Sequence, residues 1–171
     1  MTGSFEVKSV EETWELAKQF ARELKPGDVV CLEGDLGAGK TTFTQGLAAA
    51  LGVRGRVTSP TFCIVQEHAF DGDRRQSNAA DRDRQQSNAL DVNRQQSNAI
   101  DSVRLLVHMD LYRLHGEDDV IAIGWEDYLS EGAVLVVEWP ERAGTLIPES
   151  AHHIAFHHLG TDDESRRIEV R

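Results

Sequence analysis

Cysteine is scarce in this chain. It has two, Cys31 and Cys63, each in an apolar run and without metal-ligand spacing. That excludes a disulfide-stapled scaffold and a cysteine zinc site, and the expectation is two buried thiols in a reducing compartment. Long hydrophobic runs are also lacking. No window approaches the ~18 apolar residues of a membrane span. The opening Met1-Thr2-Gly3-Ser4-Phe5 has neither the basic start nor the apolar core of a signal peptide, so the expected location is cytoplasmic. Basic charge is in short supply: 18 Lys and Arg stand against 29 Asp and Glu, a formal charge of −11. A phosphate backbone wants a basic face, so any nucleic acid would have to be brought by a partner. What remains is an ordinary soluble composition over 171 residues, enough for one domain.

What is present is concentrated at residues 34–41, Gly-Asp-Leu-Gly-Ala-Gly-Lys-Thr. This G-x-x-x-x-G-K-T pattern is the phosphate-binding P-loop. Its glycines let backbone N–H groups converge on a nucleotide's phosphates, Lys40 reaches the β- and γ-phosphates, and the Thr41 hydroxyl binds Mg²⁺. The context fits. Val29 to Leu32 reads as a buried strand, and Thr42 to Leu51 as a helix closed by Gly52, whose N-terminal dipole adds to the phosphate site.

Around this unit the pattern predicts an amphipathic helix capped by Ser9 or Thr13, with Trp14, Leu16, Ala17, Phe20, Ala21 and Leu24 on its apolar side and Pro26-Gly27-Asp28 at its end. Phe62 to Val65 predicts a strand after the Thr58-Ser59-Pro60-Thr61 turn, and it should pair across a long hairpin with a strand over 104–110. Residues 116–129 read as broken helix. Ala133 to Val137, a continuous apolar run, reads as a central strand covered on both faces. His153–His157 and Arg167–Val170 alternate more weakly and are expected near an edge. The fold class is α/β: a P-loop NTPase-like sheet flanked by helices, with antiparallel strand additions.

Residues 71–80, 81–90 and 91–100 are three copies of a ten-residue unit rich in Gln, Ser, Asn, Asp and Arg. Ten residues turn an α-helix by about 1000°, so the apolar position drifts by about 80° per copy and no stripe forms. One apolar residue in ten is too few to offset a backbone ordering cost of about 1–2 kcal/mol per residue. The chain therefore reads as a single domain, 1–171, interrupted by an unordered low-complexity insertion over 71–102.

A P-loop needs a carboxylate at the end of a neighbouring strand to hold the metal shell. Glu138, closing the apolar run, and Asp110, closing a weaker one, are the candidates. Glu138 with Thr41 could supply two oxygen ligands, and Asp110 could then orient or deprotonate water. The alternative for either carboxylate, less favoured by the spacing, is a solvated strand end or a helix N-cap. Thr58 to Thr61 lies where many nucleotide hydrolases keep a γ-phosphate-sensing hydroxyl, although on sequence alone an ordinary proline turn is the preferred reading. Trp139 is expected to pack in the core. The seven histidines are expected at surface or edge positions rather than around a metal.

Four segments occur in order: Gly34–Thr42 (GDLGAGKTT), Thr58–Phe62 (TSPTF), His108–Leu114 (HMDLYRL) and Val137–Arg142 (VEWPER). Together they resemble the TsaE family, small P-loop ATPases of tRNA threonylcarbamoyladenosine biosynthesis. The resemblance covers 1–70 and 103–171. It implies binding of ATP and Mg²⁺, slow ATP hydrolysis by the chain alone, and action with TsaD and TsaB type partners, which hold the tRNA. By position it implies phosphate contacts from Gly34, Asp35, Leu36, Gly37, Ala38, Gly39, Lys40, Thr41 and Thr42, and Mg²⁺ ligation by Thr41 and Glu138. It further implies a catalytic Asp110, a switch-like Thr61, an N-terminal nucleotide contact at Thr13, and another at Arg166 or Arg167. A P-loop kinase of small molecules or nucleotides is the competing reading. The residues outside the insertion are too few for the lid and acceptor site such enzymes carry. A third reading, a nucleotide-binding module without turnover, predicts binding and no phosphate release.

Overall fold

A computed structural model of the chain describes residues 1–53, 55–60, 63–69, 103–160 and 165–171. The decapeptide repeat, Thr61 and Phe62 lie outside the described residues.

Strand β1 (Gly3–Val7) leads into helix α1 (Val10–Ala21). Ser9 caps α1 by accepting from the Glu12 N–H at 3.2 Å, while the Glu12 carboxylate accepts from the Lys8 N–H at 2.7 Å. The helix ends at Ala21, short of the Pro26-Gly27 expected to stop it. Leu24 beyond it is still fully buried. Strand β2 (Val29–Glu33), the loop, and helix α2 (Lys40–Leu51) follow. Gly52 ends α2 in the left-handed region (φ 84°), its N–H donating to the carbonyls of Ala48 and Ala49.

Seven strands among the described residues form one sheet. Beyond those already named they are β3 (Val65–Ala69), β4 (Leu105–Asp110), β5 (Val134–Glu138), β6 (His152–His158) and β7 (Arg166–Val170). The spatial order is β1-β7-β6-β2-β5-β4-β3. β6, β2, β5 and β4 run parallel, while β7, β1 and β3 are antiparallel additions. The mixed α/β sheet is thus the class the sequence predicted.

Strand alternation divides the core in two. Val30, Leu32, Leu106, Val134, Val136 and Ile154 face α1 and α2. Cys31, Val107, Met109, Leu135 and Val137 face Trp125, Val120, Leu111 and Ala143. These last come from α3 (Glu117–Ala122), α4 (Trp125–Ser130) and short 3₁₀ turns. On the first side α1 crosses α2 closely at Gly46: a Cβ there would lie 2.8 Å from the Trp14 Cα.

β7 and β6 lie second and third from one side of the sheet, near an edge as expected, while two other expectations need correction. The edge on that side is β1, too short and too polar in GSFEV to announce itself. β3 begins at Val65 rather than Phe62, because the N–H groups of Cys63 and Ile64 both donate to the Pro60 carbonyl and Ile64 turns through φ 66°. That turn leaves Cys63 exposed; only Cys31 is buried. The β3–β4 hairpin itself forms, with Ala69 opposite Leu105. Among the described residues no helix is long and apolar enough to cross a membrane.

Candidate functional site

The loop between β2 and α2 supports a shape few residues tolerate. Gly34, Gly37 and Gly39 all have positive φ (140°, 79° and 107°), and a Cβ on Gly34 would meet the Phe156 carbonyl oxygen at 2.7 Å. The loop folds back over Lys40, whose ammonium donates to the carbonyls of Gly34 (2.7 Å) and Asp35 (3.0 Å). Leu36 stands at the tip, 95% exposed.

Opposite the loop, parallel pairing of β4 with β5 sets Asp110 level with Glu138. Both carboxylates are almost wholly buried. Glu138 Oε2 lies 3.6 Å from the Lys40 ammonium, and Oε1 lies 3.0 Å from His108 Nε2. A buried carboxylate so placed is paired on both oxygens, which is what keeps its charge tolerable away from water. One Asp110 oxygen accepts from the Tyr112 N–H at 3.1 Å, capping the turn that leaves β4.

These groups border one cleft of about 650 Å³, with Thr41, Thr42 and Ser59 on one wall and Asp110, Tyr112, Glu138 and Trp139 on the other. A second hollow of about 750 Å³ opens on the far side of Lys40 and Trp139, toward Glu33 and His153. Trp139 is not a core residue as expected. It is 40% exposed, adopts a left-handed backbone (φ 59°), and packs against Tyr112 with ring centroids 5.0 Å apart. The Pro140 ring after it starts a 3₁₀ turn, so the chain must swing sharply away from β5 at that residue.

Arg166 and Arg167, equivalent in the sequence, part company in the structure. Arg166 Nε donates to the Ala38 carbonyl at 3.2 Å, behind the loop, whereas Arg167 points the other way to Glu6 at 3.2 Å. Thr13 is not brought to the cleft: it is buried on α1, its hydroxyl donating to the Ser9 carbonyl at 3.0 Å. Sequence reasoning missed His108. It was expected at a surface or edge, yet it is completely buried against Glu138. The available signal was its spacing: His108 is two residues before Asp110 in a strand, hence on the same face. Of the others, His115, His157 and His158 are exposed, and His153 meets Glu33 at 2.8 Å. Burial holds His68 below the usual imidazole range, and the neighbouring His108 acts in the same direction. Cys31, beneath Glu33, is pushed up to about 12, first by burial and then by that carboxylate.

The sequence profile of a family described as threonylcarbamoyl adenosine biosynthesis protein TsaE matches residues 7–168. The chain belongs to the TsaE family. It is 37% identical over 153 residues to the tRNA threonylcarbamoyladenosine biosynthesis protein TsaE of Bacillus subtilis, covering 90% of this chain and 76% of that protein. It is 40% identical over 159 residues to the TsaE protein of Streptomyces coelicolor, covering 91% and 87%. A crystal structure of Bacillus subtilis YdiB superposes with a TM-score of 0.64 at 30% identity, covering 99% of this chain and 84% of that one. In this TsaE family member the four quoted segments meet around the cleft, apart from Thr61 and Phe62, which are not described.

Proposed function

We propose that the chain binds and hydrolyses ATP with Mg²⁺ in the cytoplasm, supporting threonylcarbamoyl modification of tRNA adenosine together with TsaD and TsaB type partners. The observation that carries this reading is the convergence of the loop, Lys40 and the Asp110–Glu138 pair on one cleft. The amides of residues 34–42 and the start of α2 take the phosphates. Lys40 exchanges its two loop carbonyls for β- and γ-phosphate oxygens and offsets the charge that gathers there during transfer. Asp110 orients the attacking water. Arg166 braces the loop from behind, and the turn at 58–61 serves as the γ-phosphate-sensing segment.

The donor set suits a hard divalent cation: the Thr41 hydroxyl with the Glu138 carboxylate on one cleft is all oxygen. Those two residues would hold Mg²⁺, which when bound draws charge from the phosphoryl group. With a net charge of −11, tRNA reaches the reaction through the partners.

A phosphate-release assay tests the proposal. We expect slow release from ATP by the chain alone and faster release with the TsaD–TsaB pair. Release that instead needs an added acceptor and ignores the pair would identify a kinase. Nucleotide binding with no release under any condition would identify a binding module.

A further inference from the structure

Glu138 has two neighbours competing for it. Lys40 lies 3.6 Å from one oxygen and His108 Nε2 lies 3.0 Å from the other. An ionised carboxylate only accepts, so His108 must carry its proton at Nε2. His108 Nδ1 is buried with no hydrogen-bond partner among the described residues. A proton there would be a desolvated donor with nowhere to go, so the lone pair faces that side.

The ring itself is fully buried on β4. Its register places it two residues before Asp110, on the same sheet face. Next to it on β3, Gln66 pairs with His108 in register and donates through Nε2 to the Thr58 hydroxyl at 3.0 Å.

From this geometry we propose that His108 is a positioning residue for Glu138, acting as the Nε2–H tautomer. It pins Oε1 and leaves Oε2 facing the cleft. Without that bond the carboxylate is free to turn both oxygens onto the Lys40 ammonium, the nearest cation. Lys40 and Glu138 would then satisfy each other, at the expense of the phosphates for one and the metal for the other. His108 thus keeps a buried ion pair from closing on itself. This inference rests on the nucleotide and metal reading above.

The test uses the full chain and its binding of a fluorescent N-methylanthraniloyl-ADP as Mg²⁺ is titrated. Two variants are compared: His108→Leu, which keeps volume and removes the donor, and His108→Gln, whose amide N–H can take the place of Nε2–H. We expect His108→Leu to raise the half-saturating Mg²⁺ about tenfold or more, the scale found when a metal ligand loses its supporting hydrogen bond. His108→Gln should recover most of that loss. Thermal midpoints are recorded for both, since a merely structural histidine would shift the midpoint and leave the Mg²⁺ requirement alone.

The ¹⁵N signals of His108 in the nucleotide-free chain give an independent reading, and an Nε2–H pattern is expected. An unchanged Mg²⁺ requirement in His108→Leu, an equal defect in His108→Gln, or an Nδ1–H pattern would each overturn the proposal. If the unmodified chain shows no Mg²⁺-dependent nucleotide binding, the reading beneath it fails instead.

Discussion

Lys40 is almost buried and is held by two loop carbonyls and Glu138, so its charge has been positioned ahead of any ligand. On the proposed reading, replacing Lys40 with Ala removes the cation that meets the phosphates, and it leaves Glu138 with His108 alone. We expect phosphate release to fall by about 10²–10³, the cost of deleting one preorganised electrostatic contact. Release at the unmodified rate would contradict the assignment. The two cysteines allow a second comparison. Cys63 is exposed and should react with a thiol reagent in the native chain, while Cys31 should react only after unfolding. The Cys31 thiol also couples to stability. Its pKa lies near 9 when unfolded and about 12 in the fold, so above pH 9 the unfolded state ionises first. Its contribution is complete below that point and is lost as pH rises toward about 12, with a slope of up to about 1.4 kcal/mol per pH unit. Denaturant melts of Cys31→Ala should lack this part of the alkaline decline.

At the scale of elements, the tightest constraint is the crossing of α1 over α2. An alanine at 46 would gain about 1 kcal/mol of helix propensity. Its methyl, however, would sit 2.8 Å from the Trp14 Cα and 3.0 Å from the Ala17 Cβ, and backbone cannot yield as a flexible side-chain tip can. We expect Gly46→Ala to destabilise by about 1–3 kcal/mol, as overpacking does, read as a lower urea midpoint at unchanged slope. Sequence alone gives no sign of this contact: glycine inside an otherwise regular helix has no local consequence beyond propensity. Elsewhere the elements were legible where the pattern was strong. β2, α2 with Gly52, and β5 stand within two residues of their expected bounds, because unbroken apolar runs and a left-handed cap are local signals. β1 was invisible because GSFEV gains its place only by pairing with β7, from the far end of the chain. Asp110 and Glu138 could be picked out as strand-end acids, while spacing put His108 on the face of Asp110 without showing that it would be buried against Glu138. Trp139 misled for a related reason: indole is usually buried, and only its left-handed backbone beside Tyr112 turns it outward.

At the scale of the whole molecule, the antiparallel pairing of β3 with β4 brings Ala69 and Leu105 side by side. Two strand ends that close need only a short turn between them. We propose that the repeat interrupts one ATPase domain without serving it. Replacing residues 71–101 with a Gly/Asn turn should preserve both nucleotide affinity and thermal midpoint. A large loss of either would show that the repeat contributes to the fold.

The level ending of β4 and β5 has a further consequence. If β4 slipped by a single residue against β5, Asp110 would pass through the sheet to the side lined by Trp125 and Leu111, while an apolar side chain would take its place beside Glu138. A chain misassembled in this way would lose its paired acids and part of its interior at one stroke. Correct assembly and the proposed handling of phosphate therefore depend on the same ladder of backbone bonds, and a population that melts cooperatively should carry few intact but inactive molecules.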